Sequence, residues 1–128
     1  MKHARALFYT AAIFNFLAVL LLLPATGIAT ILGLTPAPDN GVFNQIALLA
    51  IFGFGAGYWM VGRDPSENRA VVVLGLFLKL GVVAIAAFHF VAGTANLNLF
   101  ALVSGDLLFA LAFAGFLAAP TAQPQRKK

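Results

Sequence analysis

Residues 69–92, RAVVVLGLFLKLGVVAIAAFHFVA, form a near-unbroken apolar run with one lysine, Lys79, close to its middle and one histidine, His89, near its end. No other stretch constrains the fold as much. As a helix the run is long enough to cross a hydrocarbon core of roughly 30 Å. A charge at the centre of such a span costs roughly 2.5–3.5 kcal/mol on insertion scales, so it calls for a partner. Three further apolar runs accompany it, over about 6–23, 42–61 and 97–119. Of the 128 residues, 62% are hydrophobic and 9% charged. A soluble domain has about 45–50% and about 25%. A core this small cannot hide that surplus, so the expected solvent is lipid. The expected fold is an all-α membrane protein, an antiparallel bundle of four transmembrane helices. The helices fall at about 6–23, 42–61, 65–92 and 97–119, within a single domain over 1–119, and a disordered basic tail follows over 120–128.

The connections carry their own signals. The basic start MKHAR leads into eighteen nearly all apolar residues from Ala6 to Leu23, closed by Pro24. A cleaved signal peptide is the rival to a retained helix here, but its apolar core is usually shorter, and this run carries Asn15. The longest connection, PATGIATILGLTPAPDNG over 24–41, is loop-like in its Pro, Gly, Thr and Asp content. Within it, Ile28 to Leu34 is apolar enough to lie in the headgroup layer, with a lid over a cavity as the alternative. In helix two, Gly53 and Gly57 are four apart and form a face for close helix packing, while Gly55 lies on another side. Tyr58 and Trp59 stand near the helix end, where aromatic rings prefer the membrane interface. The run FGFGAGY does not follow a strand or open a basic helix, so it is not a phosphate loop.

In GRDPSENR, residues 62–69, Gly62 suits a left-handed helix end and Asp64 a helix N-cap. Pro65 then fits the first helical position, with Glu67 three after the cap. Arg63, Asp64, Glu67 and Arg69 are thereby read as capping, dipole and topology residues rather than catalytic ones. Gly93 ends helix three, and Thr94 or Asn96 can cap helix four. Both connections are short, so helices two and three, and three and four, are expected to be neighbours.

Orientation follows from where the cations fall. Lys2, Arg5, Arg63, Arg69, Arg126, Lys127 and Lys128 lie in the N-terminus, the second connection or the tail, and none lies in the first or third connection. Both termini are therefore expected to be cytoplasmic, in the inner (plasma) membrane. The same asymmetry argues against dual-topology insertion of the kind small drug exporters use, as does the absence of an acid from helix one. The net charge of +4 is explained by topology, and nothing resembles a basic groove with stacking aromatics, so no nucleic-acid partner is expected. The chain has no cysteine, which excludes disulfides, thiol catalysis, iron–sulfur ligation and the paired thiols of quinone-linked oxidoreductases.

Lys79 is nine residues inside Ala70 and Asp106 nine inside Leu97, from opposite sides. At about 1.5 Å per residue both lie roughly 14 Å deep, a few Å apart in level, and Asn15 falls there too. Asn15, Lys79 and Asp106 are expected to face the bundle interior as one polar cluster. It either locks helix register or lines a site for a proton, an ion or an anionic headgroup. His89, Asn44, Gln45, Asn96 and Asn98 fall near the periplasmic ends. They form either a polar mouth or ordinary helix-end contacts with water. A haem would need a second histidine at the depth of His89, and His3 is on the wrong side. No cofactor, metal or catalytic residue is expected.

Four features together are shared with a wider group: the Asn in helix one, the Gly-rich helix two, the GRDPSENR turn and the Gly-Asp pair of helix four. In these the chain resembles small four-helix proteins of bacterial inner membranes. The resemblance implies the four-helix membrane fold and carries no activity. For function, the expected reading is a non-enzymatic membrane module, with the bilayer as its surroundings, that self-associates or joins a larger membrane complex. One alternative is a transporter or binding protein for a lipid-like or small hydrophobic molecule, using Asn15, Lys79 and Asp106. A second is a membrane enzyme on a lipid-like substrate, with Asp106 or His89 as acid or base.

Overall fold

The structure, a computed structural model, describes residues 2–120. The chain is all-helical among these residues. It contains α1 (Lys2–Leu22), the short α2 (Ile28–Ile31), α3 (Val42–Arg63), α4 (Arg69–Val91) and α5 (Leu97–Ala118), with a 3-10 turn at Pro24–Thr26. α1, α3, α4 and α5 are each long and apolar enough to cross a membrane. Past Pro120, the basic tail expected from the sequence lies outside the described residues.

Facing residues show the antiparallel order. Tyr9 and Phe16 of α1 pack against Trp59 and Phe52 of α3, and Arg69 and Phe90 of α4 meet Leu117 and Phe100 of α5. α1 with α3, and α4 with α5, are the extensive pairings, whereas α3 and α4 touch more sparingly despite the short turn between them. The core lies where the two pairs meet. Phe8, Ala11 and Ala12 of α1 pack with Tyr58 and Val61 of α3, Val72 of α4 and Phe113 of α5.

Two helices begin elsewhere than expected. α1 begins at Lys2 rather than Ala6. The stretch between holds no Gly or Pro to stop a helix growing backwards. α4 begins at Arg69, not Pro65. The Asp64 carboxylate does accept from Glu67 N at 3.3 Å and from Ser66 Oγ at 2.9 Å, as a cap would. Asn68 then donates back to Asp64 O at 2.8 Å, which closes residues 65–68 into a turn before the helix starts. Gly62 is not a left-handed terminus. It sits buried inside α3, where a Cβ would stand 2.8 Å from the Tyr9 ring. Gly93 does take the left-handed conformation after α4, at φ +80°. Asn96 caps α5, its Oδ1 accepting from Leu99 N at 3.1 Å.

The glycines of α3 also act differently from the expectation. Around Gly53 there is open space, and Gly57 meets only Val71 of α4. The close approach of α1 runs instead over Gly55 and Gly62, against Phe16, Asn15 and Tyr9. Gly55 and Gly62 are seven apart and share the inward stripe of α3, while Gly53 points outward.

Candidate functional site

The inward stripes of α1, α4 and α5 converge on one polar cluster at mid-bundle. Buried positions on α4 are Val72, Gly75, Lys79 and Ala86, a spacing that keeps one face toward the neighbours. Lys79 is only 4% exposed. Its Nζ donates to Asp106 Oδ1 at 2.6 Å and to Asn15 Oδ1 at 3.3 Å. Asn15 in turn donates its Nδ2 to the Ile51 carbonyl of α3 at 3.0 Å. One lysine thus connects α4 to α5 by charge and to α1 by a hydrogen bond, and Asn15 extends the chain of contacts to α3.

Three rings surround the ammonium. The centroids of Phe14, Tyr58 and Phe109 lie 5.3, 5.4 and 5.4 Å from Lys79 Nζ, within the range of cation–π attraction. Two glycines make room for these rings. A Cβ on Gly105 would stand 2.9 Å from the Phe14 ring, and one on Gly75 would stand 2.6 Å from the Tyr58 hydroxyl. Gly75 is one helical turn before Lys79, so the tyrosine fills the space beside the lysine stem. Asp106 remains 19% exposed, and its second oxygen accepts no hydrogen bond among the described residues. Its charge is compensated from one side only.

Tyr58 is the member of this site that the sequence reading placed elsewhere. It is not an interfacial ring but a core residue, 1% exposed, packed edge-on against Phe113. Its neighbour Trp59 does point outward and meets Tyr9 edge-on. The available signal was spacing, since Tyr58 lies seven beyond Ile51 and three beyond Gly55, on the stripe that meets α1.

The polar residues at the other end of the bundle separate into three groups. Asn44 and Gln45 donate to the carbonyls of Asp39 and Asn40, at 2.7 and 3.2 Å, within their own entry turn. His89 pairs through Nδ1 with Thr94 Oγ1 at 2.7 Å, across the turn that follows its helix. Asn96 and Asn98 hold the long connection. Asn96 Nδ2 donates to Gly33 O at 2.6 Å, Thr35 N donates to Asn96 Oδ1 at 3.1 Å, and Asn98 Nδ2 donates to Leu32 O at 3.0 Å. No hydrogen bond joins these groups to one another among the described residues. His89 sits ten residues along α4 from Lys79, about 15 Å away by helix rise, and is not part of the mid-bundle cluster.

The chemistry available at mid-bundle is charge compensation and hydrogen bonding. No side chain there is paired as a nucleophile with a base. Among the described residues, no group of three His, Asp or Glu side chains is placed to hold a metal ion. At the start of α4, Arg69 donates to the Leu117 carbonyl of α5 at 2.9 Å and lies 5.2 Å from the Phe116 ring centroid. That cation closes the C-terminal end of α5, where the helix dipole favours it. Comparison with protein-family models, curated proteins and solved structures gives no match for the chain.

Proposed function

We propose that this chain is a multi-pass protein of the inner (plasma) membrane, with both termini cytoplasmic, and that it works as a non-enzymatic module associating with copies of itself or with a larger membrane complex. The observation that carries this reading is the inward closure of the polar cluster. Lys79 is buried and directs two of its three N–H donors to Asp106 and Asn15. A buried lysine left unpaired would be costly, and one paired across three helices favours a single bundle geometry. Free surface for recognition lies on the outside instead. A shallow apolar depression of about 330 Å³ runs between α3 and α4, lined by Ala50, Gly53, Phe54, Gly57, Val71 and Leu74. Small residues on an outward face let a further helix approach closely.

Native mass spectrometry after gentle extraction tests this reading. A homo-oligomer, or a complex with a larger protein, is the expected result, and Gly53→Leu should dissociate it by filling the depression. A monomer with no partner would overturn the reading.

A second reading rests on Asp106, whose free oxygen and partial exposure offer a donor-bearing small molecule one place to attach. Extra mass of a few hundred daltons on the monomer, lost on Lys79→Leu, would favour that binding or transport role.

A further inference from the structure

The long connection between α1 and α3 is not an open loop. The 3-10 turn and α2 fold it back over the end of the bundle, and it has two distinct sides. Ala29 and Leu34 are buried against the bundle. Ile28, Ile31 and Leu32 face outward, with Ile31 83% exposed.

Most carbonyls of this segment, and the hydroxyl of Thr26, are hydrogen-bonded within the protein. Thr26 Oγ1 donates to Leu20 O at 2.8 Å, at the end of α1. Leu34 N donates to Ala29 O at 3.0 Å, closing the end of α2. The carbonyls of Leu32 and Gly33 accept from Asn98 and Asn96, and Thr35 exchanges hydrogen bonds with Asn96 in both directions. Gly33, at φ +69°, supplies the turn that brings these carbonyls to α5. Between residues 23 and 41 the only charged side chain is Asp39, beyond the apolar part. A segment that shows apolar side chains outward, carries no charge and has most of its carbonyls bonded within the protein is suited to a lipid boundary.

We infer that residues 28–34 form a membrane-interface foot, in which Ile28, Ile31 and Leu32 seat among phospholipid acyl chains just below the headgroups. The partner is the leaflet on that side, and the inference rests on the membrane reading above. The foot fixes the depth of this end of the bundle, and Asn96 and Asn98 hold it in place from α5.

The chain has one tryptophan, Trp59, and no cysteine, which makes reporters simple to place. The full-length protein is reconstituted in phosphatidylcholine nanodiscs whose lipids carry bromine near the glycerol end of the acyl chains. In a Trp59→Phe background, Ile31→Trp should lose about half of its emission to bromine and resist aqueous iodide. Emission untouched by bromine and freely quenched by iodide would overturn the foot. Native Trp59, measured in the same discs with bromine placed along the whole chain, separates the two readings. If Trp59 is quenched and Ile31→Trp is not, only the foot falls. If neither is quenched, the membrane reading falls with it. A second pair of variants checks the result without a bulky ring. Ile31→Cys should react about tenfold more slowly than Asn40→Cys with a membrane-impermeant maleimide, and equal rates would overturn the proposal.

Discussion

α3 belongs to two seams, and they are built differently. Toward α1 the connection is long, yet the packing is close, because Gly55 and Gly62 expose backbone to the rings of Phe16 and Tyr9. Toward α4 the connection is the short turn 64–68, yet the seam is sparser: Val71 meets Gly57, Tyr58 meets Gly75, and an outer depression of about 330 Å³ is left. A short turn fixes which helices lie side by side. It does not make them pack closely along their length; toward α1 two glycines a heptad apart, Gly55 and Gly62, carry the approach over a longer stretch of α3 than the single Tyr58–Gly75 approach carries it toward α4. The polar cluster works against the looseness of the second seam, since Lys79 of α4 reaches Asn15 of α1, and Asn15 reaches Ile51 of α3.

The largest effect should come from removing that brace. Asp106→Leu leaves the Lys79 charge buried without its counter-ion and should cost about 3–5 kcal/mol. The check is reversible unfolding by SDS in bicelles. Adding Lys79→Met to Asp106→Leu should recover most of the loss, because two apolar side chains need no compensation. If the double variant is as unstable as the single, the cluster is not acting as a charge pair.

Next in size is the tight seam. Gly62→Leu must displace the Tyr9 ring and should cost about 1–3 kcal/mol in the same assay. Gly53→Leu, on the open side of the same helix, should stay within about 0.5 kcal/mol of the parent when both are unfolded as monomers. Equal losses at the two glycines would erase the contrast between the seams.

Two smaller effects sharpen it further. Asn96→Ala removes the α5 cap and the anchor of the long connection. It should cost about 1 kcal/mol and speed amide exchange at Leu34 and Thr35, leaving exchange near mid-bundle unchanged. Asn15→Leu takes away the hydrogen bond to Ile51 and the second acceptor of Lys79. The average worth of such interhelical bonds in a bilayer is about 0.6 kcal/mol, and that is the loss expected.

What the sequence made legible follows from the physics of each feature. Four long helices could be read from four apolar runs, because a run of that length admits few other folds. The common level of Asn15, Lys79 and Asp106 could be counted, because helix rise is nearly constant and both connections around α4 are short. The glycines were harder. Gly53, Gly55 and Gly57 look alike in sequence, and only the stripe that ends in Tyr58 and Gly62 shows which of them faces α1. Tyr58 itself was misplaced because a tyrosine near a helix end satisfies the interface rule as well as the core rule. The pinning of Gly33 and Thr35 by Asn96 could not be read at all, since it joins residues 61 or more positions apart through side chains of ordinary helix-cap type.

The pairing of Lys79 with Asp106 also sets an order on the making of the protein. Lys79 leaves the ribosome 27 residues before the carboxylate that compensates it. The first connection has the longer wait, since Thr35 leaves 61 residues before the Asn96 that fastens it. Neither the lysine nor the connection can settle until α5 has been synthesised. A chain truncated before α5 therefore lacks more than its last helix: it carries an unmatched charge and an unfastened connection, the kind of defect by which quality control recognises an unfinished product.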